Sequence, residues 1–256
     1  MMPMNRLCLA LLTLSCVLPA FAAETRLFEM RTYTAAPGKL EALHARFQQH
    51  ACRLLERHGM VNIGYWTPMD EPGSANTLLF VLAHRDRESR EASWKGLMTD
   101  PEWQAVFKAS EVGGRLVEKA EVRFLRATDY SPAIQPPGAP GPRIFELRTY
   151  VAAPGRLAAL NARFRDHTLS LFAEHGIQNV AYWNVDQGET GADDTLIYFI
   201  AHRSREAAKD SFDAFRINPA WVQARQESEA KAGGSLTATG GVTSVFMKAT
   251  PYSPIQ

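Results

Sequence analysis

The chain has 256 residues, 46% of them hydrophobic and 21% charged, with a formal net charge of +1 at pH 7. Such a chain can bury a core without help from disulfides or metals. It lacks the basic surplus of a nucleic-acid binder, and past the N-terminus no apolar run approaches the length of a membrane span.

Residues 1–22 read as a signal peptide. Arg6 is the only charge, an apolar run follows from Leu7 to Leu18, and Ala20 and Ala22 supply the small residues a signal peptidase reads. Cleavage after Ala22 gives a periplasmic or secreted protein with no membrane span. A retained N-terminal anchor is the competing reading, against which the run is short. Cys8 and Cys16 leave with the signal, and the remaining Cys52 cannot close an intrachain disulfide alone.

The elements then follow in a readable order. Phe28 to Thr34 alternates as a half-buried strand does. Pro37 suits a first helical turn, and Leu40, Leu43, Phe47, Ala51 and Leu54 recur at helical spacing until Gly59 caps the end. Val61 to Thr67 predicts a second strand, Pro72-Gly73 a turn, and Thr77 to Arg85 a buried third strand. Asp86 caps a helix running to about Leu97. Asp100-Pro101 starts a short helix carrying Trp103 and Phe107, which Gly113-Gly114 breaks. Glu121 to Thr128 predicts the last strand. The order β-α-β-β-α-β is the ferredoxin-like split unit.

The same text then returns. Residues 28–66 laid over 145–183, a constant offset of 117, agree at 22 of 39 positions without a gap. Ala83-His84-Arg85 matches Ala201-His202-Arg203, Asp100-Pro101-Glu102-Trp103 matches Asn218-Pro219-Ala220-Trp221, and Tyr130-Ser131-Pro132 matches Tyr252-Ser253-Pro254. A repeat of this length is a whole domain. The expected organisation is repeat 1 over 24–132, a Pro/Gly linker over 133–142 and repeat 2 over 143–254. The expected fold class is α+β: each repeat covers one face of its sheet with helices, and the two repeats cover the other faces by closing sheet to sheet as an intramolecular α/β barrel.

Candidate functional residues fall in matched pairs. Glu29, Arg31 and Tyr33 share one strand face, as do Glu146, Arg148 and Tyr150, because side chains alternate with period two. With Phe28 and Met30 under the helices, the charged row would face the barrel interior, either as a structural ion pair or as a polar ligand site. Asn62 and Trp66, like Asn179 and Trp183, would share a face of the second strand. His84 and His202 end the third strand. The other matched histidines, His50 with His167 and His58 with His175, form no ligand cluster, so no metal and no cofactor is expected. His58 before Gly59 suits the negative end of a helix dipole. No Ser-His-Asp signature, Walker loop or dinucleotide fingerprint is present.

The pattern E-x-R-T-Y-x-x-x-P-G-K/R-L, then His, H-G, Y-W, D/N-P-x-W and a closing Y-S-P resembles the NIPSNAP family over nearly all of both repeats. The resemblance implies the dimeric α/β barrel, or ferredoxin-like, fold and carries over no catalytic motif. Members of the mitochondrial branch resemble binding or adaptor proteins, and this chain departs from that branch in its apparent secretory signal.

Three functions stay open. The first is a non-catalytic exported module whose barrel interior holds a small, partly apolar ligand. The second is a cofactor-independent monooxygenase-like enzyme acting on a small aromatic or apolar molecule inside the barrel, since Asn, Trp and His are residue types seen in such enzymes with this fold. The third is an interaction module with a filled, inert interior. Whether the chain is an enzyme, and whether it forms a homodimer, the residues leave open. A side-chain-filled interior favours the third function; an open pocket with aromatic and ionisable walls favours the first two.

Overall fold

The computed structural model describes residues 24–134 and 143–256. The expected signal peptide and most of the expected linker lie outside the described residues. Repeat 1 contributes β1 (Leu27–Ala35), β2 (Val61–Pro68), β3 (Thr77–His84) and β4 (Val117–Ala127). Repeat 2 contributes β5 (Ile144–Ala152), β6 (Gln178–Val185), β7 (Thr195–His202) and β8 (Thr237–Ala249). They close into one barrel in the order β1-β3-β2-β8-β5-β7-β6-β4. Two short antiparallel seams join the repeats. Trp66 to Pro68 pairs with Ala249 to Met247, and Leu125 to Ala127 pairs with Val185 to Trp183. The last strand of repeat 1 starts earlier than its alternation predicts, at Val117.

Each repeat lays its helices on the outside of the barrel. In repeat 1, α1 (Leu40–Arg46) and α2 (Cys52–Arg57) are joined through a π turn over Phe47–Ala51. A single turn, α3 (Gly73–Asn76), precedes β3, and α4 (Arg87–Thr99) and α5 (Pro101–Ser110) follow it. Repeat 2 has α6 (Leu157–Arg163), a π turn over Phe164–Thr168, α7 (Leu169–Glu174), α8 (Arg205–Ile217) and α9 (Pro219–Ala232). The Asp86 carboxylate accepts from the Ser89 N–H and caps α4. Asp100 accepts from the Glu102 and Trp103 N–H groups, with Pro101 opening α5. Among the described residues no helix is long and apolar enough to cross a membrane.

Three cores result. The barrel interior is filled from both repeats, by Phe28, Trp66 and Val81 on one side and Phe145, Trp183 and Phe199 on the other. Two further cores lie between each sheet and its own helices.

The interior corrects the expected strand facing. Phe28 and Met30 point into the barrel, and Glu29, Arg31 and Tyr33 point out beneath the helices. Repeat 2 does the same with Phe145 and Leu147 inside and Glu146 outside. The reason is donor supply. A buried carboxylate needs donors, and those of Glu29 come partly from α4 on the outer face, whereas the interior row is apolar.

The Tyr-Ser-Pro tail of each repeat crosses to the other. The Tyr65 N–H donates to Ser253 Oγ at 2.9 Å, and the Tyr182 N–H donates to Ser131 Oγ at 3.0 Å. Tyr130 donates its hydroxyl hydrogen to Asn161 Oδ1 at 2.7 Å, while Tyr252 meets His44 Nδ1 at 2.8 Å.

Candidate functional site

Beneath α4, the Glu29 carboxylate is fully buried and collects donors from three directions. Arg31 Nη1 donates at 2.6 Å from its own strand, and His84 Nε2 lies at 3.0 Å on β3. Trp94 Nε1 donates at 2.9 Å, and Arg90 donates through Nε and Nη2 at 3.1 and 3.0 Å. Arg90 and Trp94 are four apart, so they share the sheet-facing side of the capped α4. Burial alone would raise the Glu29 pKa; the bonds from His84, Arg90 and Trp94 and the Arg31 charge overcome it and hold the carboxyl far below its ordinary range.

Repeat 2 keeps half of this arrangement. Glu146 accepts from Arg148, from Ser244 and, at 3.0 Å, from His202 if that nitrogen carries the proton. The positions of Arg90 and Trp94 are taken by Ala208 and Phe212. Burial again pushes the carboxyl up, and His202, Arg148 and Ser244 bring it below normal.

The candidates therefore separate. Glu29, Arg31 and His84 form one cluster with Tyr33 beside them, as Glu146, Arg148 and His202 do with Tyr150. Asn62 and Trp66 do not share a face. A β-bulge between Asn62 and Gly64 shifts the register, so Asn62 turns toward the helices. There its Nδ2 donates to the Cys52 carbonyl at 2.9 Å and its Oδ1 accepts from the Tyr65 hydroxyl. Asn179 repeats this with Leu169 and Tyr182 through the bulge before Ala181. Trp66 and Trp183 remain inside the barrel, buried, with no partner for either indole N–H among the described residues. Cys52 lies on the helix side, where burial pushes its thiol up to about 11 and makes it a poor nucleophile.

The barrel interior, the expected place for a ligand, is filled, and open space lies elsewhere: a polar cleft of about 470 Å³ lies between α6 and α9 in repeat 2, and an aromatic one lies in repeat 1. A cavity of about 430 Å³ lies between the outer face of the sheet and the helices. Its walls include Phe47, Leu55, Phe80, Trp94, Leu97 and Trp103, with the guanidinium groups of Arg31, Arg46 and Arg90 among them. Repeat 2 fills the equivalent space. Phe172 stands for Leu55 and Phe215 for Leu97. Their rings lie 4.9 Å apart, and Phe215 packs at a tilt against Trp221 with ring centroids 4.5 Å apart. A more polar depression of about 450 Å³ opens at one end of the barrel, with Thr32, Thr149, Glu121 and Arg123 on its walls. Among the described residues no three His, Cys, Asp or Glu side chains gather as metal ligands.

Sequence reasoning found the Glu29 cluster and missed the cavity. Arg46, Arg90, Trp94 and Trp103 were its overlooked walls. The available signals were the i, i+4 spacing of Arg90 and Trp94 and the recurrence of Arg46 and Trp103 as Arg163 and Trp221.

Comparisons with known proteins agree with this architecture. The NIPSNAP family model matches residues 28–132 and 145–254. A protein NipSnap homolog of Dictyostelium discoideum is 25% identical over 235 residues, 89% of this chain and 90% of that protein. The crystal structure of an uncharacterized NIPSNAP domain protein from Burkholderia xenovorans is 28% identical, covering 41% of this chain and 98% of that chain at a TM-score of 0.36. A "putative monooxygenase" from Lactobacillus acidophilus matches in fold alone, with TM-score 0.54 and 10% identity over 88% of this chain and 94% of that chain. With both repeats matched and the barrel closed between them, the chain belongs to the NIPSNAP family as a tandem dimeric α/β barrel protein.

Proposed function

We propose that the protein is an exported binding module that holds one small, partly apolar molecule per chain in the repeat 1 cavity, outside the barrel; the filled barrel interior, which by itself favours an inert interaction module, is not the site. The observation that carries this reading is the contrast between the repeats: repeat 1 has space walled by aromatic rings and guanidinium groups, and repeat 2 has phenylalanines there. Its volume falls within the range of about 300–1,000 Å³ typical of small-molecule sites. Repeat 2 then serves as the scaffold that completes the barrel. Export rests on the N-terminal pattern of residues 1–22.

The test copies repeat 2 into repeat 1. The double change Leu55→Phe with Leu97→Phe adds aromatic volume to the empty space and leaves the Glu29 cluster untouched. Native mass spectrometry of protein recovered from the exported fraction is expected to show a bound small molecule on the parent chain and none on the double variant, with the fold retained by circular dichroism. A molecule that stays on the double variant would remove the cavity from consideration. The monooxygenase reading expects its substrate inside the barrel, which Phe28, Trp66, Phe145, Trp183 and Phe199 fill; carried over to the repeat 1 cavity it rests on the names of fold neighbours, and oxygen consumption with the recovered molecule separates turnover from binding.

A further inference from the structure

The walls of the repeat 1 cavity carry more positive charge than they neutralise. Four guanidinium groups line it, on Arg31, Arg46, Arg90 and Arg115. Two carboxylates answer them. Glu29 serves Arg31 and Arg90 together, and Glu111 pairs with Arg46 at 3.1 Å. Glu111 is also engaged by the Leu116 N–H at 3.2 Å. Arg115 has no carboxylate partner among the described residues.

Two of these groups are also held in place. The Arg31 guanidinium carbon lies 4.4 Å from the Trp94 ring centroid, and that of Arg46 lies 5.3 Å from the Phe107 centroid. Stacking on aromatic faces fixes the planar fork before any ligand arrives. Arg46 is only 5% exposed, and its Nε is buried without a partner among the described residues, as is that of Arg31. Arg148 and Arg163 in repeat 2 have the same partnerless Nε. The unpaired nitrogens therefore belong to the shared scaffold, and what repeat 1 adds is room beside them.

The head group follows from electrostatics. An uncharged apolar guest expels water from the surplus guanidinium charge and gives nothing back, which is costly. A cationic guest adds repulsion. An anionic guest offsets the surplus and gains charge-assisted hydrogen bonds, which a guanidinium donates in pairs to a carboxylate. The remaining walls are aromatic and aliphatic, so the rest of the molecule is apolar.

Resting on the cavity reading above, we infer that the ligand is an amphipathic monocarboxylate: a compact aromatic or apolar body against Phe47, Phe80 and Trp94, with its carboxylate taken by the guanidinium groups that have capacity to spare, Arg46 and Arg115. Repeat 2 takes no such molecule.

The experiment compares three probes with one body and three heads: 2-naphthoate, 2-naphthylmethanol and 2-naphthylmethylammonium, titrated calorimetrically into the exported chain at fixed salt. The acid is expected to bind about tenfold tighter than the alcohol or better, and the ammonium weakest. Arg115→Gln, a change at an exposed residue without an ion pair, is expected to weaken the acid about threefold or more and to leave the alcohol unchanged. Acid and alcohol binding equally, with both lost in the Leu55→Phe, Leu97→Phe variant, overturns the anion and keeps the cavity. An ammonium that binds as tightly as the acid also overturns it. If none of the three binds the parent chain, the inference fails together with the cavity reading. The comparison of heads is made on the parent chain, so it stands even if a variant folds poorly.

Discussion

At the scale of single residues, the two buried carboxylates make a natural experiment in how many partners a charge needs. Glu29 has two guanidinium groups, an indole and an imidazole about it; Glu146 has one guanidinium, a serine and an imidazole. Removing one partner should then cost different amounts. Arg31→Met leaves Arg90 to balance Glu29, so the loss is that of one charged hydrogen bond, about 1.5–3 kcal/mol. Arg148→Met leaves Glu146 with no guanidinium partner among the described residues, and the loss approaches that of a broken buried pair, about 3–5 kcal/mol. Urea unfolding of both variants measures the difference, and equal losses would show that Arg90 does not compensate. The sequence displayed the Glu-x-Arg rows plainly, but not which way they face. Both faces of β1 are covered, so alternation alone could not choose between partner sheet and helices. The choice was made by Arg90 and Trp94, sixty-odd residues downstream, and only the fold brings them to Glu29.

At the scale of elements, most of the order was legible, because caps and periods are local. Asp86, Asp100 and Asn218 cap the helices where their positions suggest. The irregularities were not legible. A π turn leaves hydrophobic spacing nearly helical, and the bulge after Asn62 breaks a count of two that nothing in the side chains announces, although Gly64 was a hint. The Tyr-Ser-Pro tails were visible as a motif and became intelligible only as cross-repeat latches. One latch titrates and the other does not: Tyr252 meets His44, whereas Tyr130 meets Asn161. Burial lowers the His44 pKa, only partly opposed by Glu41. Below its ordinary value of about 6.5, the unfolded chain takes up a proton that the folded chain resists. This contribution to stability is therefore intact above that pH and declines as pH falls, until the folded imidazole also protonates. His44→Asn, which installs the repeat 2 residue, should flatten the dependence of stability on pH between about 7 and 5.5. Thermal melts of parent and variant across that window check it; parallel curves would mean that His44 is protonated as easily folded as unfolded.

At the scale of the whole molecule, the duplication was the most legible feature, and the divergence of the copies the least. Leu55 against Phe172 and Leu97 against Phe215 read as conservative exchanges along the chain, yet they separate a cavity from a filled core. The barrel interior diverges in the same way. Phe199 in repeat 2 stands where repeat 1 has Val81, and Trp66 stacks on Phe199 at 4.6 Å. Trp66 makes room by lying over Gly64, where an added Cβ would come within 2.2 Å of its ring. On the other side, Trp183 is matched with the smaller Val81, and Ala181 replaces Gly64. The two halves are thus complementary in volume, large against small, and neither is complementary to itself.

That complementarity predicts the behaviour of the separated halves. A fragment of residues 24–134 exposes the face bearing Phe28, Met30, Trp66 and Val81, and a fragment of residues 143–256 exposes the face bearing Phe145, Trp183 and Phe199; both faces are buried in the intact chain. Such a patch drives association. A homodimer of the first fragment would put Val81 where Phe199 now stands and leave a void, which costs about 24 cal/mol per Å³ of residual cavity. A homodimer of the second would crowd a second Phe199 and Ala181 against the tryptophans, and overpacking costs about 1–3 kcal/mol or more. Each seam, Trp66 with Ala249 and Trp183 with Ala127, also joins one repeat to the other. Mixed in equal amounts, the fragments should form a one-to-one heterodimer in preference to either homodimer, and each alone should be unstable or self-associate weakly. Native mass spectrometry of the mixture distinguishes the three species by mass. Homodimers in statistical proportion to the heterodimer would mean that the interior does not discriminate between the repeats. A stable monomer of residues 24–134 in sedimentation would count against the barrel as the unit of folding.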